Sequence, residues 1–286
     1  MDVGIGLPNS VHTLDDGRLL IELARRAEER GFSVLGTIGR IAYPGHEELM
    51  VLAAAAAVTQ RIGLFTDILL GPTREPLLLA KQAATLDRLS HGRFVLGVGV
   101  GARKDDFDVV GLDFHDRGRR MDTALELMHR LWRGEPPEGT DKPVTPRPTN
   151  GESVPMMFGG QAEAAVRRVV KWGVGYTLGG GPPPALAGMK EKVDAAWKDA
   201  GREGRPRYRA LSYAAFGAEA HRTSEDALKH YYGGLGERIW NATPKDAKSA
   251  KERANAFEAV GCDEFLFFLE HPDPEQVDRL AEAVLR

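Results

Sequence analysis

From Phe94 the chain reads FVLGVGVG, an apolar run with glycine at positions 97, 99 and 101, and then turns polar through Ala102–Asp108. Alternate glycines strip the side chains from one face of a strand, so a flat ring can lie against bare backbone. With Ala102 in the third place, the run also satisfies the loose G-x-G-x-x-G/A fingerprint of a dinucleotide turn. That turn opens a helix directly, in the first βα unit. Here three βα-like units come first, and Arg103–Gly111 carries no sustained helical pattern. Two readings stay open. The glycines relieve crowding inside a closed barrel, or they make room for a ligand at its mouth, and three in a row favour the ligand.

Other residue types point to an anion and a ring. Thr66 and Asp67 are the polar residues of an otherwise apolar run, Ile62–Leu70. A charged carboxylate buried there costs several kcal/mol without partners; the alternative is a strand end already in water. Gly159-Gly160-Gln161 precedes a helical segment, so free backbone N–H groups and the helix dipole suit an anion. Arg117 and Arg119 begin another helix, where basic residues oppose the dipole unless an anion is present. Arg40 is a candidate for an acidic substrate or coenzyme tail, and equally for a plain surface arginine. Tyr43, Tyr231, Tyr232 and Trp240 suggest an apolar pocket, as ordinary packing would too. His12 and His46 are placed to reach a mouth. No histidine has metal-ligand spacing, and no phosphate-loop, zinc-protease or nucleophile-elbow motif occurs. The single Cys262 reads as a buried thiol. No side chain announces itself as acid or base, which suits chemistry carried by a cofactor.

These residues need a scaffold. The 286 residues are 42% hydrophobic and 28% charged, an ordinary globular balance, with a net charge of −3 that favours neither nucleic acid nor a membrane surface. No cationic, apolar leader precedes the first strand, and no apolar run reaches ~18 residues, so a cytoplasmic protein is expected. Strand-like runs (3–7, 33–38, 62–70, 94–100, 155–158, 174–178, 208–216, 264–269) alternate with helical periods. Strands too apolar to have a wet face predict a parallel sheet covered by helices. Eight such units predict one α/β domain over 1–286, a (β/α)8 TIM barrel with insertions; a doubly wound sheet is the alternative. An irregular excursion is expected near 134–154, with mouth loops near 39–46, 179–184 and 217–243.

Several stretches together resemble the bacterial luciferase-like monooxygenase family. They are ATLDRLSHGRFVLGVGVG (84–101), KDDFDVVG (104–111), DRGRRMDTALELMHRLW (116–132), RIGLFTDILLGPTREPLLLAKQ (61–82) and PMMFGGQAEAAVRRVVKWGVGY (155–176). The resemblance covers most of the chain. It implies a barrel that binds FMN or the deazaflavin coenzyme F420, oxidoreductase chemistry on a small molecule, and usually a homodimer. It places Thr66, Asp67 and Ile68 with Gly99 and Gly101 beside the ring, and Gly159, Gly160, Gln161 and Arg117 at the phosphate, with Arg119 second to Arg117. It also implies a cis peptide bond between Asp67 and Ile68. Relatives often carry an acidic residue and a histidine where this chain has Gly39-Arg40, which weakens any claim of histidine-assisted proton transfer. Four readings follow: a monooxygenase using O2 and FMN reduced by a separate reductase, a deazaflavin-dependent reductase or dehydrogenase, a flavin-binding protein without turnover, and a non-redox barrel enzyme that holds a sugar phosphate.

Overall fold

Strands as apolar as Phe94–Gly99 and Glu264–Leu269 must be covered on both faces. The computed structural model describes residues 1–285 and shows how. In chain order the elements are β1 (Asp2–Gly6), α1 (Arg18–Arg30), β2 (Val34–Thr37), α2 (Glu48–Val58), β3 (Gly63–Thr66), β4 (Leu69–Leu70), α3 (Pro76–Leu89), β5 (Phe94–Gly99), α4 (Asp105–Asp108) and α5 (Arg117–Trp132). They continue with β6 (Met156–Gly159), α6 (Glu163–Trp172), β7 (Gly175–Leu178), α7 (Pro183–Asp199), β8 (Arg207–Ala214), α8 (Ala218–Tyr232), α9 (Gly236–Ala242), α10 (Ala247–Glu258), β9 (Glu264–Leu269) and α11 (Glu275–Val284). The strands pair in parallel in the order β3-β2-β1-β9-β8-β7-β6-β5-β4, and β3 also pairs with β5. That last pairing closes the sheet, which rules out the open, doubly wound alternative. β3 and β4 form one interrupted stave, so the molecule is a (β/α)8 barrel of eight staves with an extra short strand.

Strand alternation sorts the core into two faces. Phe265 and Phe267 point outward with Ile5, Leu35 and Tyr176, under the helices. Leu266 and Phe268 point inward with Val34, Phe65, Leu211 and Tyr213. The interior is packed: a Cβ on Gly6 would sit 2.1 Å from the Phe268 ring. Its floor is ionic. Arg209 and Glu264, both nearly fully buried, place Nε 2.5 Å from Oε2 without the alignment of a hydrogen bond, and the guanidinium lies over the Phe65 ring.

Helix boundaries follow local chemistry. α1 buries Leu20, Leu23, Ala24 and Ala27, the face its period predicts, and ends where Gly31 adopts a left-handed φ of 91°. α3 starts on Pro76, with the Glu75 carboxylate accepting from the N–H groups of Leu77 and Leu78. The predicted excursion is present: Arg133–Pro155 holds neither helix nor strand. It is tied to the base by the Thr149 N–H on Asp87 and by Arg88 on the Arg147 carbonyl, far from the mouth. The polar stretch 217–243, read as a mouth loop with short helices, is more helical than that, because α8 and α9 are helices of 15 and 7 residues. The loop expected at 179–184 is shorter than predicted, since Pro183 and Pro184 already belong to α7. No helix among the described residues is long and apolar enough to cross a membrane.

Candidate active site

The interruption of the third stave is a one-residue bulge. Phe65 pairs with Val95, but Leu69 pairs with Val98, so β3–β4 gains one residue on β5. Bulges re-aim side chains beside active sites. Here the re-aimed residues are Asp67 and Ile68, and the peptide bond between them is cis, where the resemblance placed it. Both line a cavity of about 330 Å³ at the C-terminal end of the barrel, where active sites of this fold are built. Asp67 is buried. Its Oδ1 accepts from Thr177 Oγ1 at 2.9 Å, while Oδ2 has no partner. Burial pushes its pKa up to about 7, against the opposing pulls of the Thr177 hydroxyl and Arg209.

The three glycines divide their work. A Cβ on Gly97 would lie 1.9 Å from the Thr66 carbonyl oxygen, and one on Gly99 would lie 2.2 Å from Ile68 Cδ1. These two relieve crowding inside the barrel, and Gly99 meets the cavity only through Ile68. Gly101, with φ of +77°, lines the cavity itself beside Val100 and Leu70. Thr66 is buried, and its hydroxyl is occupied by the Gly97 carbonyl at 2.7 Å.

Gly159 and Gly160 (φ +115°) line the same cavity just before α6, which starts without a side-chain cap. A Cβ on Gly159 would lie 2.8 Å from Ile68 Cδ1, so this turn adjoins the bulge. Gln161 is exposed in the same turn. Arg117 does not line the cavity. Its Nε donates to the Gly101 carbonyl at 3.2 Å and its Nη1 to the Phe114 carbonyl at 2.7 Å, with the guanidinium over the Phe114 ring. Arg119 is exposed and paired with Asp116.

Arg40 lines the cavity, but its charge is balanced. Its Nη2 lies 2.5 Å from Asp105 and its Nε 3.1 Å from Asp106, which also accepts from the N–H groups of Ile41 and Ala42. Arg103 donates to the Tyr231 carbonyl at 2.7 Å and lies over the rings of Tyr231 and Tyr232. Tyr43 packs edge-on to Tyr231 and shares a 2.7 Å hydrogen bond with His230, which stacks on His12. The β2–α2 loop, α4 and the end of α8 are thus clasped together above the cavity. His46 lies outside this cluster, next to Gly17.

One residue escaped the sequence reading. Glu270 follows β9 at the mouth, and the alternation Glu264, Leu266, Phe268, Glu270 turns it inward. It is 2% exposed, Oε1 has no partner, and burial pushes its pKa up to about 8. Its charge would act on Tyr43, Tyr213, Tyr231 and Tyr232. Tyr213 and Tyr232 share a 2.7 Å hydroxyl–hydroxyl hydrogen bond. The available signal was a carboxylate ending the inward-facing series of an apolar strand. The mouth therefore holds two carboxyls with raised pKa values: near neutral pH Glu270 is mostly protonated and Asp67 is divided between acid and carboxylate.

A second cavity of about 460 Å³ adjoins the first, sharing Gly179, Leu211 and Tyr232, and runs under α9. The first cavity fits a flavin-type ring. It offers an apolar bed at Ile68, Leu70 and Val100, a carboxyl with an unpartnered oxygen, and backbone at Gly101 and Gly160 for close approach.

A model of the luciferase-like monooxygenase family matches residues 1–283. An uncharacterized protein of Mycobacterium tuberculosis is 31% identical over 242 residues, covering 74% of this chain and 83% of the relative. Two solved structures share the fold. The coenzyme F420 dependent tetrahydromethanopterin reductase from Methanopyrus kandleri matches with a TM-score of 0.76 at 19% identity, covering 100% of this chain and 99% of that one. The oxygenating constituent of 3,6-diketocamphane monooxygenase from Pseudomonas putida, in complex with FMN, matches with a TM-score of 0.74 at 17% identity, covering 98% and 96%. The whole-chain family match and the mycobacterial relative together show that this protein belongs to the luciferase-like monooxygenase family of oxidoreductases.

Proposed function

We propose that the chain is a monooxygenase that uses reduced FMN and O2 on a small organic substrate. One observation carries this reading: the bulged Asp67–Ile68 bed and the Gly159-Gly160 turn adjoin each other in the lining of one cavity. An apolar bed for a ring and a helix-opening turn for an anion are the two things FMN requires. Asp67, Ile68 and Gly101 would hold the ring. Gly159, Gly160 and Gln161 would hold the phosphate, with Arg117 supporting them from behind Gly101. When bound, reduced FMN supplies the electrons that activate oxygen.

The chain's own part is to exclude water and hold protons. The clasp of Arg40, Arg103 and Tyr231 covers the mouth. Glu270 keeps its proton near neutral pH and Asp67 titrates there, states that suit a general acid and a proton-exchanging group. Arg40 and Tyr43 belong to the substrate side, where Arg40 shapes the wall more than it offers a free charge. Reduction of FMN by a separate reductase, a homodimeric assembly and a cytoplasmic location belong to the same proposal and rest on the family resemblance. The test is anaerobic titration with reduced FMN and with reduced F420, followed by admission of oxygen. Tight binding of reduced FMN and its oxidation on contact with oxygen are expected. Binding of F420 alone, with no oxygen consumption, would replace this reading by a deazaflavin-dependent reductase or dehydrogenase.

A further inference from the structure

The cavity under α9 has a charge imbalance that nothing in the chain resolves. Its walls are Leu211, Ile239, Ala242 and the hydroxyl-bearing Tyr213 and Tyr232, and Arg238 and Arg253 also reach it. No aspartate or glutamate lines it. Among the described residues, neither arginine has a carboxylate within ion-pair distance. Arg253 makes one hydrogen bond, from Nη2 to the Ala242 carbonyl at 2.7 Å. More deeply buried arginines are balanced by carboxylates, Arg40 by Asp105 and Asp106, Arg74 by Glu47 and Glu48, Arg168 by Asp122, and Arg93 is held by several backbone carbonyls. Arg253, in contrast, is half-buried on a single carbonyl, and Arg238 is exposed at the rim. Partial burial of Arg253 weakens its hold on its proton, as expected for a cation drawn from water without a counter-charge. A guanidinium left so is a ready partner for carboxylate, sulfonate or phosphate oxygens.

We propose that this cavity seats the anionic group of an amphipathic substrate, recognised by Arg238 and Arg253, with the apolar part of the substrate extending past Tyr232 toward the ring bed. The inference rests on the proposed function for the location of the reacting centre, and it adds the substrate class: small organic acids with an apolar body. Tyr232 belongs to both cavities, so a molecule of this shape reaches from one to the other.

The test uses octanoate and octanol as probes on the protein reconstituted with FMN, with affinities measured by calorimetry. The comparison is repeated on the flavin-free protein, so the cavity is tested even if FMN does not bind, an outcome that would count against the proposed function alone. Octanoate is expected to bind at least tenfold more tightly than octanol. The double variant R238Q/R253Q should lose that preference while keeping its affinity for FMN, and R238K/R253K should recover part of it. Equal affinity for the two probes in the wild type, or an unchanged preference in R238Q/R253Q, would overturn the proposal. Displacement of FMN by octanoate would assign the anion site to the cofactor phosphate and overturn it too. The last arm compares F420 with its deazaflavin core lacking the anionic tail. If R238Q/R253Q weakens F420 but not the core, the cavity holds a coenzyme tail rather than a substrate.

Discussion

Thr177 Oγ1 donates a 2.9 Å hydrogen bond to Asp67 Oδ1, while Oδ2 of the same buried carboxyl meets no donor. One hydroxyl is too little to hold a carboxylate charge away from water, and the balance tips toward the acid form at a pKa of about 7. Glu270 has the same history, at about 8.

The first prediction follows from linkage. Both pKa values are raised in the folded state, so between about pH 4 and pH 8 the folded chain binds protons that the unfolded chain has released. The stability these protons confer is fully present below pH 4, falls by about 1.4 kcal/mol per pH unit and per group as pH rises from there, and is lost once pH has passed through the folded values of about 7 and 8. Asp67→Asn and Glu270→Gln remove the titration. Their stabilities should match wild type near pH 4 and exceed it by a growing margin toward pH 8. Urea melts of the three proteins across that range give the answer. Curves that stay parallel would show both carboxyls to be ordinary.

How legible this was differs from one element to the next. The barrel was readable because each apolar strand carries its own signal, and α1 buries the face its period predicts. The length of the third stave was also readable, and the resemblance placed its break at Asp67–Ile68, but the register shift that the break makes was not. A one-residue bulge depends on register with β5, and register is not written in one strand. Gly99 was read as bed for a ring. Its packing against Ile68 became visible only once the bulge fixed where that side chain points. Glu270 was missed because a glutamate closing a strand looks like solvent-facing punctuation until closure puts it inside. The helices across 217–243 were underestimated because their apolar residues are few, although α8 buries Ala227, Leu228 and Tyr231.

A second prediction concerns the barrel floor. Arg209 and Glu264 are both buried and face each other at 2.5 Å. Removing one partner strands the other charge in the interior. Arg209→Met alone or Glu264→Leu alone should cost about 3–5 kcal/mol. The double variant should recover most of that, because an apolar pair needs no desolvation. Flavin affinity should be unaffected in the double variant, in which the opposing pulls of Arg209 and Glu264 on Asp67 are removed together. A double-mutant cycle by denaturant unfolding tests this, and additive losses would contradict it.

A third prediction separates the glycines. In Gly99→Val the new side chain takes the place of Ile68 Cδ1, 2.2 Å from the added Cβ, so Ile68 must swing toward the cavity. A loss of about 1–3 kcal/mol in stability is expected, together with weaker flavin binding. Gly97→Ala meets the Thr66 carbonyl at 1.9 Å, and backbone yields less readily than a side-chain tip, so a single methyl should cost at least as much. Thermal melts and FMN titrations of both variants decide the matter. Wild-type stability and affinity in Gly99→Val would mean that Ile68 does not stand between this strand and the ring.

The fourth prediction turns on Arg117, because it has two possible roles that a single affinity cannot separate. It holds the Gly101 and Phe114 carbonyls, so its loss loosens the wall of the cavity for any ligand. If it also stabilises a phosphate, its loss removes a charge-assisted interaction worth about 1.5–3 kcal/mol. Riboflavin has the ring of FMN without the phosphate, so the ratio of the two affinities isolates the second role. Arg117→Ala should weaken FMN binding by that amount more than it weakens riboflavin binding, while Arg117→Lys should keep part of the FMN preference. Raising the salt concentration should shrink the difference between the two ligands in wild type and barely alter it in Arg117→Ala. Equal losses for FMN and riboflavin would leave Arg117 with the wall alone and return the phosphate to the Gly159-Gly160 turn at the start of α6.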